Sequence, residues 1–228
     1  MSSIAENLAQ VKQRIADTCK GCGRDPSSIT LVAVSKTRPA EDIQQAMLAG
    51  QQVFGENYVQ EMTGKAAMLP DAVQWHFIGH LQSNKVRQIA GLTSLIHSVD
   101  RLSLAKELSG QWVKLNKVCN LLVQVNVSGE KSKSGTTTKD ALALVEEISL
   151  LPNLQVQGLM TMPPFFDNPE KARPFFRELK LLADEIKGKA FTGVTMEHLS
   201  MGMSGDFEVA IEEGATLVRV GTAIFGER

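Results

Sequence analysis

Apolar positions along the chain change period in a regular way. Near the N-terminus Ile4, Leu8, Val11 and Ile15 recur at spacings of four, three and four, the stripe of an amphipathic helix. That helix is predicted to run to about Gly21, ahead of an Asp25-Pro26-Ser27 turn. From there short runs rich in β-branched residues alternate with helical spacings. The runs predict strands at Thr30–Ser35, Gln52–Gly55, Val73–Gly79, Leu95–Val99, Val118–Val127, Leu154–Met160, His198–Met201 and Thr216–Val220. Helices are predicted from Pro39 to Gly50, from about Asn57, and over Ser83–Ala90, Leu102–Ser109, Lys139–Leu150, Pro174–Ile186 and Asp206–Glu213. In the penultimate helix Phe175, Leu179, Leu182 and Ile186 share one face.

Such alternation describes an α/β protein with parallel strands. Eight strand-helix units after one extra N-terminal helix point to a single (β/α)8 TIM barrel. An open doubly wound sheet is the competitor, because strands two, four and seven are short. The chain has 228 residues, which suits one barrel and leaves almost nothing for a second domain. The expectation is therefore one domain over 1–228. Its most polar stretch, Ser128–Thr138, is expected to be a mobile loop.

Composition narrows the function classes. Lys+Arg is 24 against 25 Asp+Glu, a net charge of −1, which argues against a dedicated nucleic-acid binder. No run approaches the ~18 apolar residues of a membrane helix. The N-terminal MSSIAENLAQVKQRIA lacks the layout of a secretion signal, so a cytoplasmic protein is expected. The three cysteines, Cys19, Cys22 and Cys119, fit a reducing compartment. Cys19 and Cys22 form a C-x-x-C, but at a helix end, without the second pair zinc wants or the strand a redox motif wants.

Barrel active sites lie at the C-terminal ends of the strands. Lys36 ends the first one. Period-two geometry puts Val32, Val34 and Lys36 on one face and Leu31, Ala33 and Ser35 on the other. If Val34 faces the lumen, Lys36 does too. A partly desolvated amine is held toward its neutral form and forms Schiff bases with carbonyl compounds; the same position also suits a lysine that snorkels to solvent. Two late segments, Ser200-Met201-Gly202-Met203-Ser204-Gly205 and Val220-Gly221-Thr222-Ala223, are either ordinary tight turns or a phosphate cradle after strands seven and eight, where barrels often place one. Arg219 alternates with Val218 and Val220, so it points into the lumen if they face the helices. Buried there it needs a hydrogen-bond acceptor: Glu208, Asp206 or a ligand ring nitrogen. His76, His80, His97 and His198 lack metal-ligand spacing, and no metal site is expected.

A strand-end lysine, a late phosphate cradle and a lumen arginine are carried by LVAVSKT (31–37), FGENYVQE (54–61), WHFIGHLQSNK (75–85), KSG (133–135), GLM (158–160), LSMGMSGDFEVAI (199–211) and VRVGTAIFG (218–226). In this order and spacing the chain resembles the pyridoxal phosphate homeostasis protein family, the YggS-like proteins, over nearly its whole length. The resemblance implies the barrel of alanine racemase and bacterial-type ornithine decarboxylase. It implies pyridoxal 5′-phosphate (PLP) held on Lys36 as an internal aldimine. Ser200, Gly202, Gly221 and Thr222 would hold its phosphate, Asn57 would approach the ring, and Arg219 would face the pyridine nitrogen.

In alanine racemase a second domain and a tyrosine from the partner subunit complete the site. This chain leaves no room for that domain, and its one tyrosine, Tyr58, sits in the second strand-helix loop. The resemblance therefore implies a PLP carrier rather than an enzyme: a monomer that buffers the cofactor and passes it transiently to PLP-dependent apo-enzymes. The alternative is a PLP-dependent amino-acid racemase or a related small-substrate enzyme.

Overall fold

The computed structural model describes residues 3–130 and 133–227. The N-terminal helix α1 (Ile4–Gly21) opens on a capping box: the Ser3 hydroxyl accepts from Glu6 N, and the Glu6 carboxylate accepts from Ser3 N. Two helix N–H groups that lack intrahelical partners are thereby satisfied. Leu8, Val11, Ile15 and Cys19 form its buried face.

The strands are β1 (Thr30–Val34), β2 (Val53–Glu56), β3 (Gln74–Phe77), β4 (Thr93–Val99), β5 (Cys119–Asn126), β6 (Thr136–Thr137), β7 (Leu154–Met160), β8 (Val194–Ser200) and β9 (Leu217–Val220). They pair in the order β4-β3-β2-β1-β9-β8-β7-β5-β6, and a further β4–β5 pairing closes the ring. All pairs are parallel. That closure decides for the barrel over the open sheet. The two-residue β6 lies beside β5 outside the ring. Around it stand α2 (Ala40–Leu48), α3 (Val59–Ala66), α4 (Val86–Ile89), α5 (Leu102–Leu115), α6 (Thr138–Ser149), α7 (Arg173–Gly188), α8 (Phe207–Glu212) and α9 (Thr222–Phe225).

Strand alternation sorts the apolar side chains into two cores. Val32, Leu95, Leu122, Met160 and Leu217 pack together inside the ring. Leu31, Ala33, Val218 and Val220 belong to the larger core between strands and helices. This parity is the one read from the sequence for β1 and β9.

Several boundaries differ from the predicted ones. Helix α5 runs six residues beyond Ser109, past Gly110, and buries Trp112; a side chain at Gly110 would meet nothing within 4 Å, so that glycine terminates nothing. Asn116, left-handed at φ 51, ends the helix instead. Strand β8 starts four residues before His198, because Met196 at φ 54 breaks its register with β7 and hides the alternation. The segment predicted as one helix over 83–90 is a 3-10 turn, Ser83–Lys85, followed by the single turn α4. On α7 the buried phenylalanine is Phe176; Phe175 stacks on Phe166 at 5.9 Å. In the polar 128–138 stretch, Asn126 Nδ2 donates to the Glu130 carbonyl at 2.9 Å, and Gln124 Nε2 to the Ser134 carbonyl at 3.1 Å. Residues 131 and 132 of that stretch lie outside the described residues. No helix among them is long and apolar enough to cross a membrane.

Candidate functional site

A cavity of about 320 Å³ opens at the C-terminal mouth of the barrel, with Lys36, Asn57, Arg219, Gly221 and Thr222 in its wall. Lys36 is half-buried and follows Val34 on the lumen face. It sits in a turn in which Arg38 N donates to the Ser35 carbonyl at 3.0 Å. Thr37, the third residue of that turn, is at φ 62. A positive φ at this position is the mark of a type II turn, and it strains a β-branched residue.

Arg219 is fully enclosed by protein and cavity, with 4% of its surface exposed. Its guanidinium donates to Ser200 Oγ at 2.5 Å and to the Thr161 carbonyl at 2.8 Å. No carboxylate pairs with it among the described residues. Glu208 instead pairs with Arg14, on the outer face. Asp206 raises the arginine's pKa through space, while desolvation by burial is the larger influence and pushes it down to about 10. At neutral pH the group remains a cation, using two of its five N–H donors on protein.

Beneath Arg219 a polar chain crosses the lumen. Ser200 Oγ lies 2.9 Å from His97 Nδ1, and His97 Nε2 lies 3.0 Å from His76 Nδ1. With Ser200 Oγ accepting from Arg219, the chain is satisfied when the Ser200 proton goes to His97 Nδ1 and His97 Nε2–H donates to His76. This polarity gives every link one donor and one acceptor. Burial keeps both imidazoles neutral, holding His76 at about 3 and His97 well below its usual range.

Five of the seven predicted site residues meet in the cavity wall; Ser200 and Gly202 do not line it. Ser200 is fully buried and bonded to Arg219 and His97. Gly202, at φ 90, is where the chain turns over α8: a Cβ there would stand 2.6 Å from Ala210 Cβ and 2.9 Å from Phe207 Cα. From this segment the wall takes Met203, Ser204 and Gly205, together with Gly221 and Thr222. Of the two serines in this segment, Ser204 lines the cavity and Ser200 lies behind its wall. Asn57 belongs to the same wall, and its Oδ1 is buried with no hydrogen-bond partner. Tyr58 is not in the wall and is 55% exposed. Asp206, whose carboxylate accepts from Met203 N at 2.6 Å, is in the wall; burial raises its pKa.

The groups missed from the sequence lie just outside the ring. Glu56 is fully buried on the outward face of β2, the side of Phe54. Its Oε1 accepts from Ser35 Oγ and from Lys65 Nζ, both at 2.7 Å. Strand parity separates Glu56 from Asn57; Lys65 as its partner required knowing how α3 packs. Cys19, Cys22 and Cys119 are free thiols, and no cluster of metal-ligating side chains occurs among the described residues.

The model of the family described as alanine racemase, N-terminal domain, matches residues 1–228. The pyridoxal phosphate homeostasis protein of Aquifex aeolicus is 48% identical over 227 residues, covering 99% of each chain. That of Pseudomonas aeruginosa is 49% identical over 230 residues, covering 100% of this chain and 97% of its own. Among solved structures, PipY of Synechococcus elongatus with PLP bound superposes with a TM-score of 0.86 at 37% identity, over 98% of this chain and all of its own. The alanine racemase of Corynebacterium glutamicum shares the fold, with a TM-score of 0.79 at 14% identity; this chain covers 61% of its length.

Proposed function

The chain belongs to the alanine racemase N-terminal domain family and to the pyridoxal phosphate homeostasis proteins, and from that premise we propose that it holds PLP in the barrel mouth, with Lys36 as the covalent anchor. The observation that carries this reading is one cavity with a half-buried lysine, a buried arginine without a carboxylate, and a buried amide oxygen without a partner. A ligand with an aldehyde for the lysine, an aromatic nitrogen for the arginine and a hydroxyl that donates to the amide answers this set. When bound, the cofactor supplies the aldehyde and the conjugated ring. The Lys36 amine adds to the aldehyde carbon; a C=N bond forms and one water leaves. Arg219 donates to the ring nitrogen and, being unable to take a proton from it, keeps it unprotonated. Ser204, Gly205, Gly221 and Thr222 receive the phosphate, where the close backbone of two glycines suits an anion.

We read the protein as a carrier that buffers PLP and delivers it to apo-enzymes by transient contact, working as a cytoplasmic monomer. In support, the titratable side chains of the cavity wall are Lys36, Arg38, Asp206 and Arg219. A two-base racemase needs a mobile acid opposite the lysine, and the Asp206 carboxylate is engaged with Met203 N–H. Free thiols fit a reducing compartment. A racemase reading predicts loss of chirality from a small amino acid at a rate well above free cofactor, and that result would overturn the carrier reading.

The anchoring test is spectroscopic. Protein loaded with PLP and dialysed should be yellow, lose that band on borohydride treatment, and gain one reduced cofactor by intact mass. Lys36→Ala should show neither band nor mass gain. An unchanged band in that variant would place the anchor elsewhere.

A further inference from the structure

The residues that flank Lys36 are tied to a buried ion cluster on the far side of the strand. Lys65 Nζ, on α3, donates to the Ser35 carbonyl at 2.8 Å, to Glu56 Oε1 at 2.7 Å and to Glu61 Oε2 at 3.1 Å. An ammonium has three protons, and these three acceptors use all of them. Glu61 Oε2 in turn accepts from Thr37 N at 2.7 Å. Ser35 completes the set through its hydroxyl, which donates to Glu56 Oε1.

The geometry has a specific meaning for Lys36. The Ser35 carbonyl belongs to the peptide plane before its Cα, and the Thr37 N–H to the peptide plane after it. Those two planes define its φ and ψ, and φ and ψ set the direction of its Cα–Cβ bond. Both planes are held by one cluster, from outside the ring, while the side chain enters the cavity. The cluster also holds Thr37 at φ 62, a conformation costly for a β-branched residue and stable only where the surroundings over-determine it.

We propose that Glu56, Lys65 and Glu61 are positioning residues that aim the Lys36 amine into the barrel mouth. None of the three lines the cavity, so none touches a ligand there. The proposal rests on the reading of Lys36 as the PLP anchor and adds what fixes its direction. Of the three, Glu61 is the one to perturb. Its side chain is 31% exposed, against 0% for Glu56 and 8% for Lys65. Water can therefore replace it on Lys65, whereas removing either other partner strands a buried charge.

The experiment compares full-length wild type, Glu61→Ala and Glu61→Gln. The rate of Schiff-base formation with PLP is read by stopped-flow absorbance. Affinity for pyridoxamine 5′-phosphate, which has no aldehyde, is read by fluorescence. Glu61→Ala should form the Schiff base about tenfold more slowly, the equivalent of 1.4 kcal/mol, while its pyridoxamine phosphate affinity stays within about twofold of wild type. Glu61→Gln keeps a carbonyl oxygen for Thr37 N–H and should recover most of the rate. An alanine variant as fast as wild type would overturn the proposal. So would equal losses in both readouts, which mark a merely structural role. A wild type that forms no Schiff base would instead refute the anchoring function itself.

Discussion

The histidine pair beneath Arg219 makes the stability of the barrel depend on pH in a defined direction. His76 is 6% exposed and its pKa is held at about 3 by burial, with a smaller contribution from His198. In the unfolded chain an imidazole titrates near ~6.5. As pH falls through that value the unfolded state takes up a proton that the native state refuses until about pH 3. Stability from this group is full above the unfolded pKa and declines on acidification. Linkage gives a loss of about 2 kcal/mol at pH 5 and about 5 kcal/mol in the acid limit from His76. His97 shifts in the same direction, again chiefly by burial, and adds loss of the same sign. Domains are stable by ~5–15 kcal/mol in total, so the effect should be plain in urea unfolding curves at pH 7 and pH 5.

The carboxyls of Glu56 and Asp206 are both raised by burial. They work in the opposite sense, since a raised acid stabilises the native state as pH falls. The informative quantity is therefore the difference between wild type and His76→Asn, in which the two carboxyl contributions cancel. Asparagine Oδ1 replaces His76 Nδ1 as acceptor for His97 Nε2–H. Wild type should lose about 2 kcal/mol more than the variant between pH 7 and pH 5. A difference below about 0.5 kcal/mol would refute the assignment of His76 as a buried neutral base, given the size of the linkage.

Two further outcomes concern the site and its scaffold. Arg219→Lys keeps the charge but cannot span Ser200 and the Thr161 carbonyl as a fork. It should weaken PLP retention by about tenfold and shift the absorbance maximum; dialysis half-time and spectrum check both. Gly202→Ala, which must adopt φ 90 against Phe207 and Ala210, should lower stability by about 1–3 kcal/mol. Gly205→Ala, where a Cβ meets nothing within 4 Å, should unfold with wild-type midpoint; equal urea midpoints for the two would contradict the packing described.

What the sequence made legible follows from how local each signal is. The lumen direction of Lys36 and Arg219 needs only a two-residue period within one strand, and the Val32 and Leu217 lumen cluster bears it out. The arginine's partners were not legible. Ser200 and Thr161 come from the region of two other strands, 19 and 58 residues away, while the nearby acids Asp206 and Glu208 were the natural guess. Which serine of this segment lines the cavity was not legible either, because two serines, Ser200 and Ser204, flank the same glycine turn. Only the path of the chain over α8 shows that the first ends up under the arginine and the second in the wall.

Lys36 and Arg219 are held by supports that share no residue. The lysine is aimed from outside the ring by Glu56, Lys65 and Glu61 on β2 and α3. The arginine is fixed from below by Ser200 and, through it, by His97 and His76 on β4 and β3. A closed parallel barrel makes this division possible, because adjacent residues of one strand face different cores. Ser35 can join the outer cluster while Lys36, the next residue, enters the mouth. Among the described residues no carboxylate forms an ion pair with Arg219, and the one acid of the cavity wall, Asp206, is engaged with Met203 N–H, so the cation of Arg219 is left for a ligand; the charges that order the loop are kept behind the strand, where they cannot compete for it. An acid moved from the outer cluster to the lumen would neutralise the arginine, and the same set of residues would then make a structural salt bridge rather than a binding site.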